Sequence, residues 1–148
     1  VKGKKYFETP LKYYMTDVGL RNARLNFRQL EENHIMENVI FNELKVRGYS
    51  VDVGVVDSKE TVDGKREVKH LEIDFVANKG AKKYYIQSAY EMPTEEKLRQ
   101  EKRSLIKVGD SFKKIVVVKD NIRPRIDEDG IVTMGLINFL LDQNSLDL

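Results

Sequence analysis

Residues 71–90 constrain the fold of this chain more than any other stretch, because they predict two β-strands joined by a tight turn. In the first strand, the apolar residues Leu71, Ile73, Phe75 and Ala77 alternate with Glu72, Asp74 and Val76. An alternation of period two buries one face of a strand and exposes the other, so we expect Glu72 and Asp74 to share the outward face. Gly80 follows and can adopt the positive φ that a tight hairpin needs.

The second strand of this hairpin, residues 83–89, places Tyr85, Gln87 and Ala89 on one face. An acid on one strand and a polar residue on the next is the geometry of a two-strand metal site, which makes Asp74 and Gln87 candidate ligands. The alternative is that Glu72 and Asp74 form the solvated face of an amphipathic strand, as is usual for such alternation. Gln87 then bonds only to a neighbouring backbone group.

The segments around the hairpin alternate between helical and extended patterns. We predict a short helix capped by Thr16 or Asp17, a polar turn, strands, three longer helices and a frayed tail. The longer helices are predicted at 29–47, 94–109 and 135–143. The strands are predicted to begin at 49, 66, 83, 113 and 131. The mobile turn is expected at 57–67 and the frayed tail at 144–148. This order predicts an α/β fold with a mixed central sheet flanked by helices.

Length and composition exclude several classes of protein. A chain of 148 residues suits one domain, and a net charge of +2 gives no overall argument for nucleic-acid binding, which only a local basic patch can supply. Cysteine is absent, so thiolate metal sites and cysteine nucleophiles are excluded, and a reducing, cytoplasmic location is expected. No apolar run reaches the roughly 20 residues of a membrane span. The chain begins with Val1, and we interpret it as a piece of a longer protein.

Other polar residues carry weaker signals. Residues 1–16 mix lysine with tyrosine and predict an edge hairpin, from Tyr6–Phe7 and Tyr13–Met15, that packs its aromatic rings on the core. The alternative is nucleic-acid binding by charge and stacking. The two histidines, His34 and His70, are not at metal-ligand spacing, so a zinc site is not expected. The charged residues of 95–103, among them Lys97 and Glu101, are typical of a solvated helix face with ion pairs.

Four sequence motifs carry a resemblance to a known family. They are TPLKYYMTDVGLRN at 9–22, MENVIFNELKVRGY at 36–49, EIDFVANKG at 72–80 and YYIQSA at 84–89. The chain resembles the C-terminal domain of unknown function found in bacterial and archaeal AAA-type ATPases, which is similar to the PD-(D/E)XK nuclease-like superfamily of Holliday-junction resolvases. The resemblance implies a restriction-endonuclease-like core of order αβββαβ, with residues 1–28 as an extension packed on a nuclease-like domain at 29–148.

The resemblance also implies a division of labour in active members. An acid of the first helix and the Asp of the motif hold a divalent metal, and the corresponding residues here are Glu37 and Asp74. The next strand of active members carries Glu or Gln, then one intervening residue, then Lys. A carboxylate pair binds Mg²⁺, and the lysine steadies the anion that develops on the phosphate. Here the triplet is Gln87, Ser88 and Ala89, so one negative charge and the lysine are missing.

The site is therefore predicted to be degenerate, with Glu37, Asp74 and Gln87 as vestigial catalytic candidates. The resemblance implies a non-catalytic accessory domain of a AAA-type ATP-binding protein, which recognises nucleic acid or a protein partner, or only packs against its own N-terminal ATPase domain. ATP binding is expected in that missing part, since this chain has no GxxxxGK[ST] loop. The alternative is a DNA endonuclease that uses Mg²⁺ or Mn²⁺, with a replacement lysine chosen from Lys82, Lys83, Lys97 and Lys102.

Overall fold

A computed structural model describes residues 12–28, 30–62, 65–90 and 95–148. The helices within these ranges are α1 (Val18–Arg24), α2 (Glu32–Val46), α3 (Glu95–Lys107) and α4 (Leu136–Leu141). The strands are β1 (Ser50–Val62), β2 (Lys65–Lys79), β3 (Lys82–Ala89), β4 (Lys113–Val118), β5 (Arg125–Ile126) and β6 (Ile131–Gly135). A single 3₁₀ turn at Ser145–Asp147 follows α4.

All six strands belong to one sheet, in the order β1-β2-β3-β4-β6-β5. The hairpins β1–β2 and β2–β3 are antiparallel, whereas β3–β4 and β4–β6 are parallel. Helix α3 connects β3 to β4, and an irregular segment that contains β5 connects β4 to β6. The predicted α/β fold, with a mixed central sheet flanked by helices, is confirmed. The restriction-endonuclease-like identity of the core stays a prediction.

Helices cover both faces of the sheet and divide the core into two clusters. On one face, α2 and α4 contribute Met36, Ile40, Leu44 and Phe139, which pack against strand residues such as Phe75. On the other face, Leu105 of α3 packs against Ile73, Tyr85, Ala89, Val116, Val118 and Ile131. The sheet is therefore the middle layer of three, which is the usual way to bury both faces of parallel strands.

An irregularity in β2 changes the alternation that the sequence predicts. Asp52 of β1 pairs with Val76 and Gly54 pairs with Ile73, so β2 contains one more residue than β1 between these pairs. An extra residue reverses the inward and outward positions of a strand. Ile73 consequently lies in the α3 cluster, whereas Phe75 lies in the α2 cluster. The prediction that Leu71, Ile73, Phe75 and Ala77 share one buried face was wrong for this reason.

The predicted helix ends are close to those observed. The Asp17 side chain accepts a hydrogen bond from the Leu20 N–H at 2.8 Å, so Asp17 is the predicted N-cap of α1. Gly48 ends α2 with a φ of +82°, as its position after the helix predicts. Helix α2 begins later than predicted, at Glu32, so Leu30 precedes the helix and is 53% exposed.

Two predicted irregular segments are ordered instead. Strands β1 and β2 continue through most of the predicted turn at 57–67, because the cross-strand pairs extend from Asp57 with His70 to Val62 with Lys65. The tail is not frayed, since Leu146 is 1% exposed and lies in the α2 cluster. Asp147 accepts hydrogen bonds from Lys82 and from the Tyr84 hydroxyl. The predicted strand at Tyr6–Phe7 and the predicted cap Thr94 lie outside the described residues.

Candidate functional site

An open polar cavity of about 520 Å³ lies near the end of β3, between α2 and α3. The three residues that the sequence predicts as a site, Glu37, Asp74 and Gln87, all line it. The other lining residues are Glu32, Asn33, Ser88, Tyr90, Lys97 and Glu101. The fold thus brings together side chains from two helices and two strands.

Asp74 is buried, with 6% of its surface exposed, and both its carboxylate oxygens are bonded. Its Oδ2 accepts the Ser88 N–H at 2.9 Å, and its Oδ1 accepts the Lys12 ammonium at 3.0 Å. The prediction that Asp74 shares a solvated outward face with Glu72 was therefore wrong for Asp74. Asp74 lies at the irregularity of β2, between the paired residues Ile73 and Val76.

Lys12 is the cation of this site. Its Nζ lies 2.5 Å from Glu72 Oε1, 3.0 Å from Asp74 Oδ1 and 3.7 Å from Glu37 Oε2. We refer to Glu37, Glu72 and Asp74 as the carboxylate cluster. Although burial disfavours the charged amine, the bonds to Glu72 and Asp74 and the charge of Glu37 raise the pKa of Lys12. The ammonium group is therefore charged at every physiological pH.

Asn38 and Asn42 hold the segment that carries Lys12 against α2. The buried Asn38 side chain accepts the Met15 N–H at 2.9 Å and donates to the Met15 carbonyl at 2.7 Å. Asn42 donates to the carbonyls of Met15 and Thr16 at 3.0 and 3.1 Å. We call residues 12–16 the N-terminal strap. These bonds satisfy backbone groups that would otherwise be left unpaired against the helix.

Aromatic packing fixes the strap beside the carboxylate cluster. The Tyr14 ring stacks on Phe41 with centroids 4.3 Å apart and tilts against Phe75 at 5.9 Å. Tyr14 thus buries its ring on the core, as predicted, but the predicted strand at Tyr13–Met15 does not form and Tyr13 is 82% exposed. The buried Tyr14 hydroxyl has no partner among the described residues. Burial raises its pKa to about 12, while the charge of Lys12 opposes the shift.

Glu37 lies one residue before Asn38 and faces both Lys12 and the cavity. Its side chain is 20% exposed, which is well below a surface glutamate on the outer face of a helix. Burial raises the pKa of Glu37, the charge of Asp74 adds to the shift, and Lys12 opposes it. Adjacent positions of one helix therefore perform two tasks, since Glu37 completes the carboxylate cluster and Asn38 holds the strap.

Gln87 lies between the carboxylate cluster and α3. Its Oε1 accepts the Asp74 N–H at 3.4 Å, a long bond that agrees with the predicted alternative of bonding to the backbone. Glu101 of α3 lines the same cavity. Burial raises the pKa of Glu101, Asp74 adds to the shift, and Lys97 opposes it. A carboxylate in place of the Gln87 amide would add a further negative charge to a cavity that already holds several acids.

The position of the missing motif lysine is packed in the core. Ala89 is 3% exposed and lies in the α3 cluster, outside the residues that line the cavity. Among the predicted replacements, Lys102 is buried in an ion pair with Asp127 at 2.5 Å. Lys82 and Lys83 lie at the opposite end of β3. Lys97 is the one of the four that lines the cavity.

The carboxylate cluster is not arranged as a metal cage. Among the residues that the structure describes, no group of three or more His, Asp or Glu side chains is placed to hold a metal ion. The three carboxylates surround an ammonium group at distances of up to 3.7 Å, whereas Mg²⁺ and Ca²⁺ bind oxygen at about 2.0–2.6 Å.

No described helix has the length and apolar character needed to cross a membrane.

Sequence reasoning missed two functional side chains. Lys12 gives no local signal, because its partner Asp74 is 62 positions away. Glu101 does give one, since Leu98, Glu101 and Leu105 recur at helical spacing and an acid on an apolar stripe faces inward. The interpretation of Glu101 as part of a solvated face was wrong, because its side chain is half-buried and lines the cavity.

Comparison with known proteins found one informative similarity. The chain is 34% identical over 141 residues to a protein of Haemophilus influenzae described only as uncharacterized. The match covers 95% of this chain and 31% of that protein, so the chain spans about a third of the length of the curated relative it matches. No family model and no solved structure matches the chain.

Proposed function

We propose that this chain is a non-catalytic recognition domain built on a degenerate nuclease-like scaffold. The observation that carries the proposal is the position of Lys12, whose ammonium group lies between Glu37, Glu72 and Asp74 in place of a metal cation. A nuclease of the type that the sequence resembles needs these acids free for a divalent metal. An ammonium group neutralises them but has no open coordination position and cannot acidify water.

The wider assignment follows from the resemblance and is part of the same proposal. The restriction-endonuclease-like core acts as an accessory domain of a longer AAA-type ATPase in the cytoplasm, and the ATPase part binds ATP. The long relative supports a larger parent protein, since the match covers only 31% of its length. The domain uses its surface to bind nucleic acid or protein, and Lys12 of the strap neutralises the acids of the degenerate site.

Calorimetric titration with Mn²⁺ tests the proposal. The wild-type chain and an Asp74→Asn variant are titrated at neutral pH, and both are then incubated with labelled single-stranded, duplex and branched DNA and Mn²⁺. We expect no saturable heat that depends on Asp74 and no cleavage. Saturable binding together with cleavage, both lost in Asp74→Asn, would overturn the proposal.

The alternative function is a divalent-metal-dependent DNA endonuclease with an altered motif. The observation that favours it is that Glu37, Asp74, Gln87 and Lys97 all line one cavity of about 520 Å³. If the strap leaves, two carboxylates and an amide oxygen remain for a metal, and Lys97 remains for the water or the phosphate. Under this alternative Lys97→Gln abolishes cleavage, whereas Lys107→Gln, an exposed lysine later in α3, retains it.

A further inference from the structure

Five lysines gather at one end of the sheet. Lys79 ends β2 and pairs with Lys82 at the start of β3, next to Lys83. Strand β4 begins in register with β3, so that Lys113 and Lys114 stand beside Tyr84 and Tyr85. The side chains divide between the two faces of the sheet. Lys79, Lys82 and Lys113 contact Arg47, Asp147 and Leu148 on the α2 side, whereas Lys83 and Lys114 contact Tyr85 and Asp110 on the α3 side. Neighbouring strands lie about 4.8 Å apart, so the five lysines surround an end of the sheet roughly 10 Å wide. We call these five residues the lysine end.

The lysine end is remote from the carboxylate cluster. Lys82 and Ser88 are six positions apart on β3, a separation of roughly 20 Å along a strand. An open cavity of about 690 Å³ adjoins it, with Lys79, Lys82, Arg47 and the amides of Gln143 and Asn144 in its wall, together with the carboxylates of Glu43 and Asp147. Its donors are those that bind anionic oxygen atoms, namely ammonium groups and side-chain amides.

The contacts of these lysines leave much of their charge uncompensated. Lys79 donates to the Arg47 carbonyl at 2.8 Å, and Lys114 donates to the Asp110 carbonyl at 3.1 Å. Lys83 lies 5.1 Å from the Tyr85 ring centroid and 5.3 Å from that of Phe112. Carbonyl oxygens and rings carry no net charge.

Two carboxylates lie among the five lysines. Asp147 pairs with Lys82 at 2.7 Å, and the Asp110 carboxylate accepts the Tyr85 hydroxyl at 2.6 Å. The end of the sheet therefore keeps a local positive excess, although the whole chain has a net charge of only +2. Such a local field attracts an anionic partner and speeds its association.

We infer that the lysine end binds the phosphate backbone of a single-stranded nucleic acid. Ammonium groups on both faces of one end of the sheet suit the phosphates of a flexible single strand that crosses this end. Phe112 is 43% exposed next to Lys83, which offers a ring for base stacking. An acidic protein segment has no planar bases to use that ring. The inference rests on the proposed recognition function and names its ligand class and its surface.

Fluorescence anisotropy with the whole 148-residue chain tests this inference. The probe is a labelled single-stranded DNA or RNA of about 16 nucleotides, with EDTA present and salt varied between about 50 and 200 mM. We expect binding that weakens steeply with salt, and an at least tenfold weaker Kd in the double variant Lys79→Glu, Lys83→Glu. Because EDTA removes free metal ions, the anisotropy measures only binding that needs no metal. A negative result here is therefore distinct from a negative result for the proposed function in the Mn²⁺ titration.

The matched control reverses two exposed lysines of the β1–β2 hairpin, Lys59→Glu and Lys69→Glu. It makes the same change in net charge, and we expect its Kd to stay within about threefold of the wild type, while circular dichroism checks that both variants fold. Absence of binding at low salt overturns the inference, and so does an equal loss in both double variants. Binding of polyglutamate but not of nucleic acid also overturns it and assigns the surface to an acidic protein.

Discussion

Lys12 determines the electrostatic state of three carboxylates that the fold places side by side. Lys12 belongs to the strap rather than to a strand or a helix. The strap can therefore move away with its ammonium group without breaking hydrogen bonds between strands. Three acids this close would repel one another without a cation, so the strap stabilises the part of the fold that brings them together.

The variant Lys12→Gln tests this dependence. We expect it to lower the free energy of unfolding by about 1–2 kcal/mol, because charge-assisted hydrogen bonds are lost from a partly buried group. Urea denaturation measures the change. Lys45→Gln, an exposed position near the end of α2, is the matched control and should lie within about 0.5 kcal/mol of the wild type. Equal stability of the two variants would contradict the role given to Lys12.

Glu101 gives a prediction about pH. Its pKa is raised in the folded state, first by burial and then by Asp74, so the unfolded chain releases this proton at a lower pH than the native protein. The contribution of Glu101 to stability is therefore greatest below about pH 4.5 and is lost as the pH rises through the folded pKa.

The variant Glu101→Gln removes this titration. We expect the stability difference between the variant and the wild type to shift in favour of the variant as the pH rises from about 4.5 to 7. Urea denaturation at several pH values measures the difference. Glu96→Gln, at an exposed position of the same helix, is the control for the removal of one carboxylate from α3. A flat difference for Glu101→Gln would show that the carboxyl titrates normally.

At the scale of elements, the irregular pairing of β1 with β2 positions Asp74. Gly54 pairs with Ile73 next to the irregularity, and a Cβ atom at Gly54 would lie 2.9 Å from Val76 Cγ2 and 3.0 Å from Ile73 Cβ. Such distances are shorter than van der Waals contact, so a side chain at position 54 must displace β2. The glycine therefore permits the close approach of two strands where the carboxylate cluster is built.

Gly54→Ala should destabilise the protein by about 1–3 kcal/mol through this overlap. Thermal unfolding followed by circular dichroism measures the effect. The control is Gly109→Ala, because a Cβ atom at Gly109 meets nothing within 4 Å. If both substitutions lower the melting temperature equally, the crowding at Gly54 is not what makes the glycine necessary.

The C-terminal turn is a second element whose role the sequence conceals. Leu146 is 1% exposed and closes the α2 side of the core, so Leu146→Ala should cost about 2–5 kcal/mol through the cavity it leaves. The matched control is Leu141→Ala, since Leu141 is 82% exposed. Urea denaturation compares the two. A cost for Leu146→Ala no larger than that for Leu141→Ala would mean that the tail is not part of the core.

The success of prediction from sequence varied with the range of the interactions. Helices α1 to α4 and strands β3, β4 and β6 follow from periodicity and caps such as Asp17 and Gly48, which are local signals. The placement of Leu146, the extra residue of β2 and the contact of Lys12 with Asp74 depend on partners far away in the chain. The convergence of Glu37, Asp74 and Gln87 was expected from the resemblance, whereas the cation among the acids was not.

For the whole molecule, the three-layer arrangement predicts where the native state opens last. Strand β4 has neighbours on both sides, and its residues Ile115–Val118 are at most 2% exposed. Strand β3 pairs with β2 only from Phe75 to Lys79. The part of the β1–β2 hairpin beyond this contact, towards its turn, therefore has no third strand beside it among the described strands. Hydrogen exchange should therefore be slowest in β4 and fastest in 57–62 and 65–70. Exchange measured by mass spectrometry that is equal in both regions would contradict this order.

The position of β1 at the outside of the sheet has a consequence for handling the protein. Strand β1 has 13 residues, and none of the described strands pairs with its outer edge. Val53 and Val55 are 43% and 65% exposed along it. A long edge with free backbone donors and acceptors is a template for adding a strand from another copy, which is how amyloid growth begins. Asp52, Asp57 and Lys59 interrupt this edge with charge, so these side chains act as gatekeepers against aggregation.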